Sequence, residues 1–174
     1  PEPPYIGLAE TTVNGVLCNG GAVGHGTPIA TGIALGKLKN QKDGTVFCIL
    51  SDGELNEGTV WESVNMATHL KLGNLVFIVD ANKWQAMGKT TDVCAIPAKK
   101  AFAGHGWNTI SVDGHNYQQL EDAIHASKRV WGRPTLILCH TIKGKGVSFF
   151  EDHLLYHYKD VDEDTYKRAL VELI

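Results

Sequence analysis

Short apolar-rich runs punctuate this chain at 45–51, 74–80, 107–112 and 135–141. Each is the length of a strand, and turn residues bound them. The first, Thr-Val-Phe-Cys-Ile-Leu-Ser, has no period-two alternation and reads as a strand buried on both faces. Between the runs, apolar residues recur at helical spacing. Val60, Trp61, Val64, Ala67 and Leu70 mark a helix over about 57–71, with Gly73 as its C-cap. Tyr117, Leu120 and Ile124 mark a second helix reaching about Val130, and Tyr166, Ala169, Leu170 and Leu173 line a last one, capped by Asp162. Thr27-Pro28 reads as an N-cap followed by proline at the first helical position, in a helix reaching about Lys39. Pro97 starts a short helix that ends before Gly104, while 1–26, 81–92 and 142–160 read as mostly irregular. Strands alternating with helices predict an α/β fold: a three-layer α/β/α arrangement around a mostly parallel sheet, as one domain over residues 1–174.

Two polar residues stand where such a sheet binds ligands. Asp52 directly follows the first run and opens Asp-Gly-Glu, and Asn82 stands just past the second, 30 residues after Asp52. One βαβ unit takes roughly 30 residues. Both side chains therefore belong at the carboxyl ends of parallel strands, the edge at which open α/β sheets hold ligands. A carboxylate and an amide oxygen are hard ligands, suited to Mg²⁺ that also holds a diphosphate. Gly53 lets the backbone approach a phosphate, and the helix after it presents its N-terminus to that anion. The structural alternative is that Asp52 and Asn56 only cap a helix and make a turn. Two phosphate-binding motifs fail. Gly53-x-x-x-x-Gly58-Thr59 lacks the lysine of a P-loop. Gly24-His25-Gly26 has Ile29 where a dinucleotide fingerprint needs its third glycine.

Composition narrows the class. Apolar residues make up 43% and charged residues 20% of 174, which suits a soluble globule. A net charge of −3 gives no reason to expect nucleic acid or a membrane surface. No apolar run approaches the ~20 residues of a membrane helix. The cysteines at 18, 48, 94 and 139 have no C-x-x-C spacing. Cys48 and Cys139 fall in apolar strands and read as buried thiols, in keeping with a reducing, cytoplasmic setting. His69, His105 and His125 read as surface residues. His140, Lys143 and Lys145 follow the fourth strand and could attract an anion, or could be solvated.

The ordered motifs carry a family resemblance. Ser-Asp-Gly-Glu-Leu-Asn-Glu-Gly (51–58) and Asp-Ala-Asn-Lys-Trp-Gln (80–85) look like the two halves of the thiamine-diphosphate motif. With Gly-Ala-Val-Gly-His-Gly (21–26), Asp-Gly-His (113–115) and Lys-Gly-Lys-Gly-Val-Ser-Phe (143–149), they resemble the N-terminal, diphosphate-binding part of transketolase. The likeness is greatest to the split form, whose two halves are separate chains, and it runs from about residue 14 onward. Ser51 stands where the family usually has glycine, and Ala81 at a position the family varies.

The resemblance implies the following roles. Asp52, Asn82 and the main-chain carbonyl of Trp84 hold Mg²⁺, with Ca²⁺ or Mn²⁺ as substitutes. Gly53, Glu54 and His157 belong to the cofactor site, and Gly21, Ala22 and Val23 face the aminopyrimidine side. Glu57 matches an interface carboxylate thought to link two cofactor sites, though alone it is a first-turn acid favoured by the helix dipole. His157 matches a histidine that reaches the diphosphate and the reacting substrate; a solvated histidine, or a metal pair with His153, is the alternative. His25 could face the cofactor or cap the helix. The implied activity is transfer of a two-carbon ketol unit between sugar phosphates, as in pentose phosphate metabolism. Other thiamine-dependent carboligases such as 1-deoxyxylulose-phosphate synthase, and a catalytically silent cofactor-binding subunit, stay open. The pyrimidine-binding domain with its catalytic glutamate has no room here, so a partner chain is expected, in an α₂β₂ or homodimer-based assembly. Only 51 residues precede Asp52, fewer than in transketolases, so an N-terminal segment is expected to be lacking unless the subunit is unusually short.

Overall fold

A computed structural model describes residues 11–14 and 18–174. The irregular stretch 1–26 thus lies partly outside the described residues; within it, 18–25 form only bends and turns before the first helix. In chain order the elements are α1 (Gly26–Lys39), β1 (Val46–Ser51), a 3₁₀ turn (Gly53–Asn56), α2 (Gly58–His69) and β2 (Leu75–Ala81). A hairpin of β3 (Trp84–Gln85) and β4 (Gly88–Lys89) follows, then α3 (Thr90–Val93), α4 (Ala98–Gly104), β5 (Asn108–Asp113), α5 (Tyr117–Ser127) and β6 (Thr135–His140). A second 3₁₀ turn (Leu154–His157) and α6 (Glu163–Leu173) complete the order.

The four long strands form one parallel sheet in the order β1-β2-β6-β5. Ser51 pairs with Asp80, and Ala81 with His140, so the carboxyl ends of β1, β2 and β6 lie side by side. One face of the sheet packs Leu75, Phe77, Val79, Leu136 and Leu138 against Ala30 and Ala34 of α1, Val60, Val64 and Ala67 of α2, and Phe102 of α4. The other packs Val76, Ile137, Cys139 and Val112 against Ala123 of α5. This is the predicted α/β layering. Aromatic rings stiffen the first face. Trp107 lies 4.8 Å from Phe77 and 5.1 Å from Phe102 between centroids. Such pairs add about 0.5–1.5 kcal/mol beyond buried area. Trp61 donates its indole N–H to Leu55 O at 2.7 Å and so braces the turn after β1.

Five local expectations need correction. The stretch 81–92 is not mostly irregular: β2 runs to Ala81, and the β3–β4 hairpin and the start of α3 occupy most of the rest. β1 is not buried on both faces: it is the sheet edge, α5 packs chiefly on β5 and β6, and Ile49 is 75% exposed. Periodicity cannot separate an edge from a centre strand. Thr27 does not cap α1; the helix begins at Gly26, and the Thr27 hydroxyl donates back to Gly24 O at 2.9 Å. Gly73 does not terminate α2, because Lys71 takes the left-handed conformation (φ 53°) and Leu72 N bonds Ala67 O. His105 is half-buried and stacks on Trp61 at 5.7 Å. Asp162 does cap α6, accepting from Thr165 N at 2.8 Å.

The thiols sort by depth. Cys18 and Cys94 are exposed, Cys48 is half-buried and Cys139 buried. Burial first, then Glu54 and Cys18, push the Cys48 thiol from 9.0 up to about 11. As pH rises from 9 toward 11 the unfolded chain gives up this proton while the fold keeps it, so the contribution to stability falls across that window. At pH 8, iodoacetamide should label Cys18 and Cys94 quickly and Cys48 and Cys139 only after unfolding. Mass-spectrometric mapping that finds Cys48 as reactive as Cys94 would contradict this burial.

Candidate functional site

The carboxyl edge of β1 and β2 turns twice, and each turn fixes one candidate ligand. The Asp52 N–H bonds Asp80 O at 3.1 Å, prolonging the ladder by one rung. Asp52 Oδ2 accepts from Lys83 N at 2.6 Å. Lys83 sits at φ 70°, which reverses the chain just past Asn82. Asp52 Oδ1 is buried and has no hydrogen-bond partner among the described residues. Desolvation raises the Asp52 carboxyl above its ordinary value, against the opposing hydrogen bond from Lys83. Its side chain makes no helix-capping bond, so the capping alternative does not describe it. Asn82 is held from both ends: its Nδ2 donates to Asp80 Oδ2 at 3.1 Å, and its Oδ1 accepts from Trp84 N at 2.9 Å. Asp80 in turn accepts from the Thr141 hydroxyl across the neighbouring strand end.

A cavity of about 320 Å³ opens beside these candidates, lined among others by Val23, Gly53, Glu57, Asn82, Trp84 and His157. Gly53 forms its tight wall, since a Cβ there would stand 3.2 Å from Gln85 Cγ. On the far side, the loop after β6 is fastened to the hairpin. Trp84 Nε1 donates to Asp152 Oδ1 at 2.6 Å, Lys89 lies 3.5 Å from the other Asp152 oxygen, and Tyr158 donates its hydroxyl to Ala86 O. Asp152 is held below the usual carboxylate range, by Trp84 first and Lys89 second. This fastening brings His157, at the end of the second 3₁₀ turn, into the cavity wall, with its Nδ1 3.5 Å from Lys143 Nζ.

The other expected residues fall around this centre. Gly21 has φ 108°, Ala22 O accepts from His25 N at 3.2 Å, and Val23 lies open at 58% exposure. His25 holds the position before α1 without a side-chain cap; its Nδ1 lies 3.2 Å from Val23 O. Glu57 precedes α2, also without a cap bond. His153 spends Nδ1 on Leu155 N rather than on a metal pair. No cluster of three or more metal-ligating His, Cys, Asp or Glu side chains occurs among the described residues. Lys145 pairs with Glu151 at 3.3 Å. His140, Lys83, Lys99 and Lys100 rim a second cavity, of about 420 Å³, on the other flank of Asp52. Asp152 and Thr141 lie outside the quoted motifs, and at the hairpin tip Ala86-Met87 lacks the glycine or asparagine that announces a two-residue turn.

Residues 7–171 match the family model described as transketolase, thiamine diphosphate binding domain. The chain belongs to that family. It is 36% identical over 172 residues to the 6-deoxy-6-sulfo-D-fructose transketolase subunit SqwG of Clostridium sp. (strain MSTE9), covering 98% of this chain and 62% of that protein. It is likewise 36% identical over 160 residues to an apulose-4-phosphate transketolase subunit of Actinobacillus succinogenes, covering 91% and 58%. The crystal structure of transketolase from Campylobacter jejuni superposes with a TM-score of 0.84 at 27% identity, over 89% of this chain and 26% of that one. The chain therefore spans about three fifths of the two subunits it resembles. In this thiamine-diphosphate-binding domain, the orphaned Asp52 oxygen and the tight Gly53 wall suit a diphosphate carried on a cation.

Proposed function

We propose that this domain is the diphosphate-binding subunit, or N-terminal portion, of a thiamine-diphosphate-dependent transketolase that moves a two-carbon ketol unit from a ketose to an aldose, both as sugar phosphates. The observation that carries this is Asp52 Oδ1, buried and unpartnered among the described residues at one strand end, with Asn82 at the next. Asp52, Asn82 and the Trp84 carbonyl would hold Mg²⁺, and Gly53 would admit the diphosphate. When bound, thiamine diphosphate supplies a nucleophilic carbanion at its thiazolium carbon. The protein's part is to place it. Val23 and the turn from Gly21 flank the aminopyrimidine end, with His25 beside them. His157, steadied by Lys143, serves the diphosphate and the substrate. Glu57 faces the subunit interface.

A partner chain bearing the pyrimidine-binding domain and its catalytic glutamate would complete the site in an α₂β₂ assembly. Both relatives above are named as subunits, which supports this reading. Four unpaired cysteines support a cytoplasmic setting; no described helix is long and apolar enough to cross a membrane. The test is co-expression with candidate C-terminal subunits from neighbouring genes, assayed for ketol transfer among sugar phosphates. The chain alone should be inactive, and activity should appear with the partner. Ketol transfer by the chain alone would refute partner dependence. No cofactor binding in any pairing would mean that the fold is kept without its catalytic role.

A further inference from the structure

Gly24 is held through both its N–H and its carbonyl by side chains on the cofactor side of the domain. Its N–H donates to Glu54 Oε1 at 2.8 Å. Its carbonyl accepts from the hydroxyls of Thr27 at 2.9 Å and Thr59 at 3.0 Å. Three side chains, from α1, α2 and the turn between β1 and α2, thus converge on one residue. Gly24 has φ +82°, and a Cβ there would stand 2.6 Å from Glu57 Cβ and 2.7 Å from Thr59 Oγ1. The turn cannot slide without breaking these contacts.

Glu54 is itself fixed by Ser51. The Ser51 hydroxyl accepts from Glu54 N at 3.0 Å, and Glu54 Oε2 accepts from Ser51 N at 3.3 Å. This is a reciprocal capping box, Ser-x-x-Glu, closed on a 3₁₀ turn. Both Glu54 oxygens are therefore engaged by backbone N–H groups. A carboxylate so placed would repel a diphosphate rather than bind it. Ser51 also acquires a purpose: glycine, usual at this position in the resemblance above, has no hydroxyl to close the box.

We infer that Glu54 is a positioning residue rather than a cofactor ligand. It bolts the Gly21–Gly24 turn to the Asp52 corner, and Ser51 holds Glu54 in place, so that the wall facing the aminopyrimidine is set at a fixed distance from the diphosphate anchor. The aminopyrimidine part of this inference rests on the thiamine-diphosphate reading above; the bolt itself does not.

Two measurements separate them. The first is hydrogen exchange by mass spectrometry on peptides spanning 19–27, in the wild-type chain and in Glu54→Ala, Glu54→Gln and Ser51→Gly. Loss of a hydrogen bond to a charged acceptor should speed exchange at Gly24 by about tenfold or more in Glu54→Ala. Ser51→Gly should give a smaller rise, and Glu54→Gln, which is uncharged and can accept from only one of the two N–H groups, should fall between wild type and Glu54→Ala. Peptides of β2 and β6 should not change. Unchanged exchange at Gly24 in Glu54→Ala, or a rise shared equally by β2 and β6, overturns the bolt whether or not any cofactor binds. The second is calorimetric titration, with the partner chain where binding needs it, using Mg²⁺–thiamine diphosphate and Mg²⁺–inorganic diphosphate in parallel. Glu54→Ala should weaken the first by about tenfold and the second by less than about twofold. Equal weakening of both would make Glu54 a diphosphate or metal ligand and overturn the inference, as would weakening of neither. A wild-type protein that binds neither ligand overturns the cofactor reading, and with it the aminopyrimidine role, while the exchange result stands on its own.

Discussion

Asp52→Ala should lower Mg²⁺-dependent affinity for thiamine diphosphate by at least about 100-fold, since even partners one shell beyond a metal ligand cost about 10–100-fold. The apo domain should not suffer in proportion. In the free protein this carboxylate is an expense: it is desolvated, it lies near Asp80, and one oxygen meets no donor among the described residues. Its leading favourable contact is Oδ2 with the Lys83 N–H, a group water can reach after truncation. Losing that bond is worth about 1 kcal/mol, and relief of the desolvated charge offsets it. Asp52→Asn sharpens the test. The amide keeps an acceptor for Lys83 but brings no charge to a cation. It should lose affinity like the alanine variant while melting at or above the wild-type temperature. Calorimetric titration and thermal unfolding of both variants decide the matter. Cofactor affinity unchanged in Asp52→Asn would remove Asp52 from the metal site. A collapse of apo stability would make it a structural residue.

The placement of Asp52 and Asn82 at neighbouring strand ends was legible from sequence. A carboxylate at the end of an apolar run, answered 30 residues later by an amide, serves no packing purpose, and the parallel register sets Ser51 against Asp80 as the βαβ spacing requires. Local chemistry was legible where it stayed local, as with Asp162 closing on Thr165 three residues away. It was not legible where a side chain chose a distant backbone group. Thr27 looks like a cap, yet bonds back to a glycine whose conformation only the packed turn reveals. Glu54 to Gly24 spans 30 residues and Trp84 to Asp152 spans 68. No periodicity encodes such pairs, because each depends on where two separately predicted elements come to rest. The exposed Ile49 shows the same limit from the other side. An apolar run says that a strand can be buried, while the sheet order decides whether anything covers it.

In the proposed assembly with a partner chain, Gly144→Ala should cut ketol transfer by on the order of 100-fold without unfolding the domain, since a 1 Å displacement of a catalytic group can cost that much. Gly144 has φ +74°, and a Cβ on it would stand 2.6 Å from Phe150 O and 2.7 Å from Phe150 C. Those are backbone atoms and cannot rotate aside. A left-handed non-glycine residue costs about 1–2 kcal/mol, and overpacking adds about 1–3 kcal/mol. The loop itself is the cheapest thing to move. It is closed by Val147 N to Gly144 O at 3.3 Å and Asp152 N to Lys143 O at 2.9 Å, and it reaches the hairpin through Asp152 and Tyr158. The sheet beneath, buried along β2 and β6, does not depend on it. The strain should therefore open the loop, release Trp84 from Asp152 and carry His157 away from the cavity. Expected signs are faster exchange and proteolysis within 143–158, altered Trp84 fluorescence, a nearly unchanged melting temperature and retained Mg²⁺–diphosphate binding. Gly146→Ala is the control: its Cβ would meet only the end of the Leu173 side chain, at 3.1 Å, although its φ of +101° still carries strain. If Gly144→Ala leaves both loop exchange and turnover within twofold of the wild type, the loop does not set the position of His157.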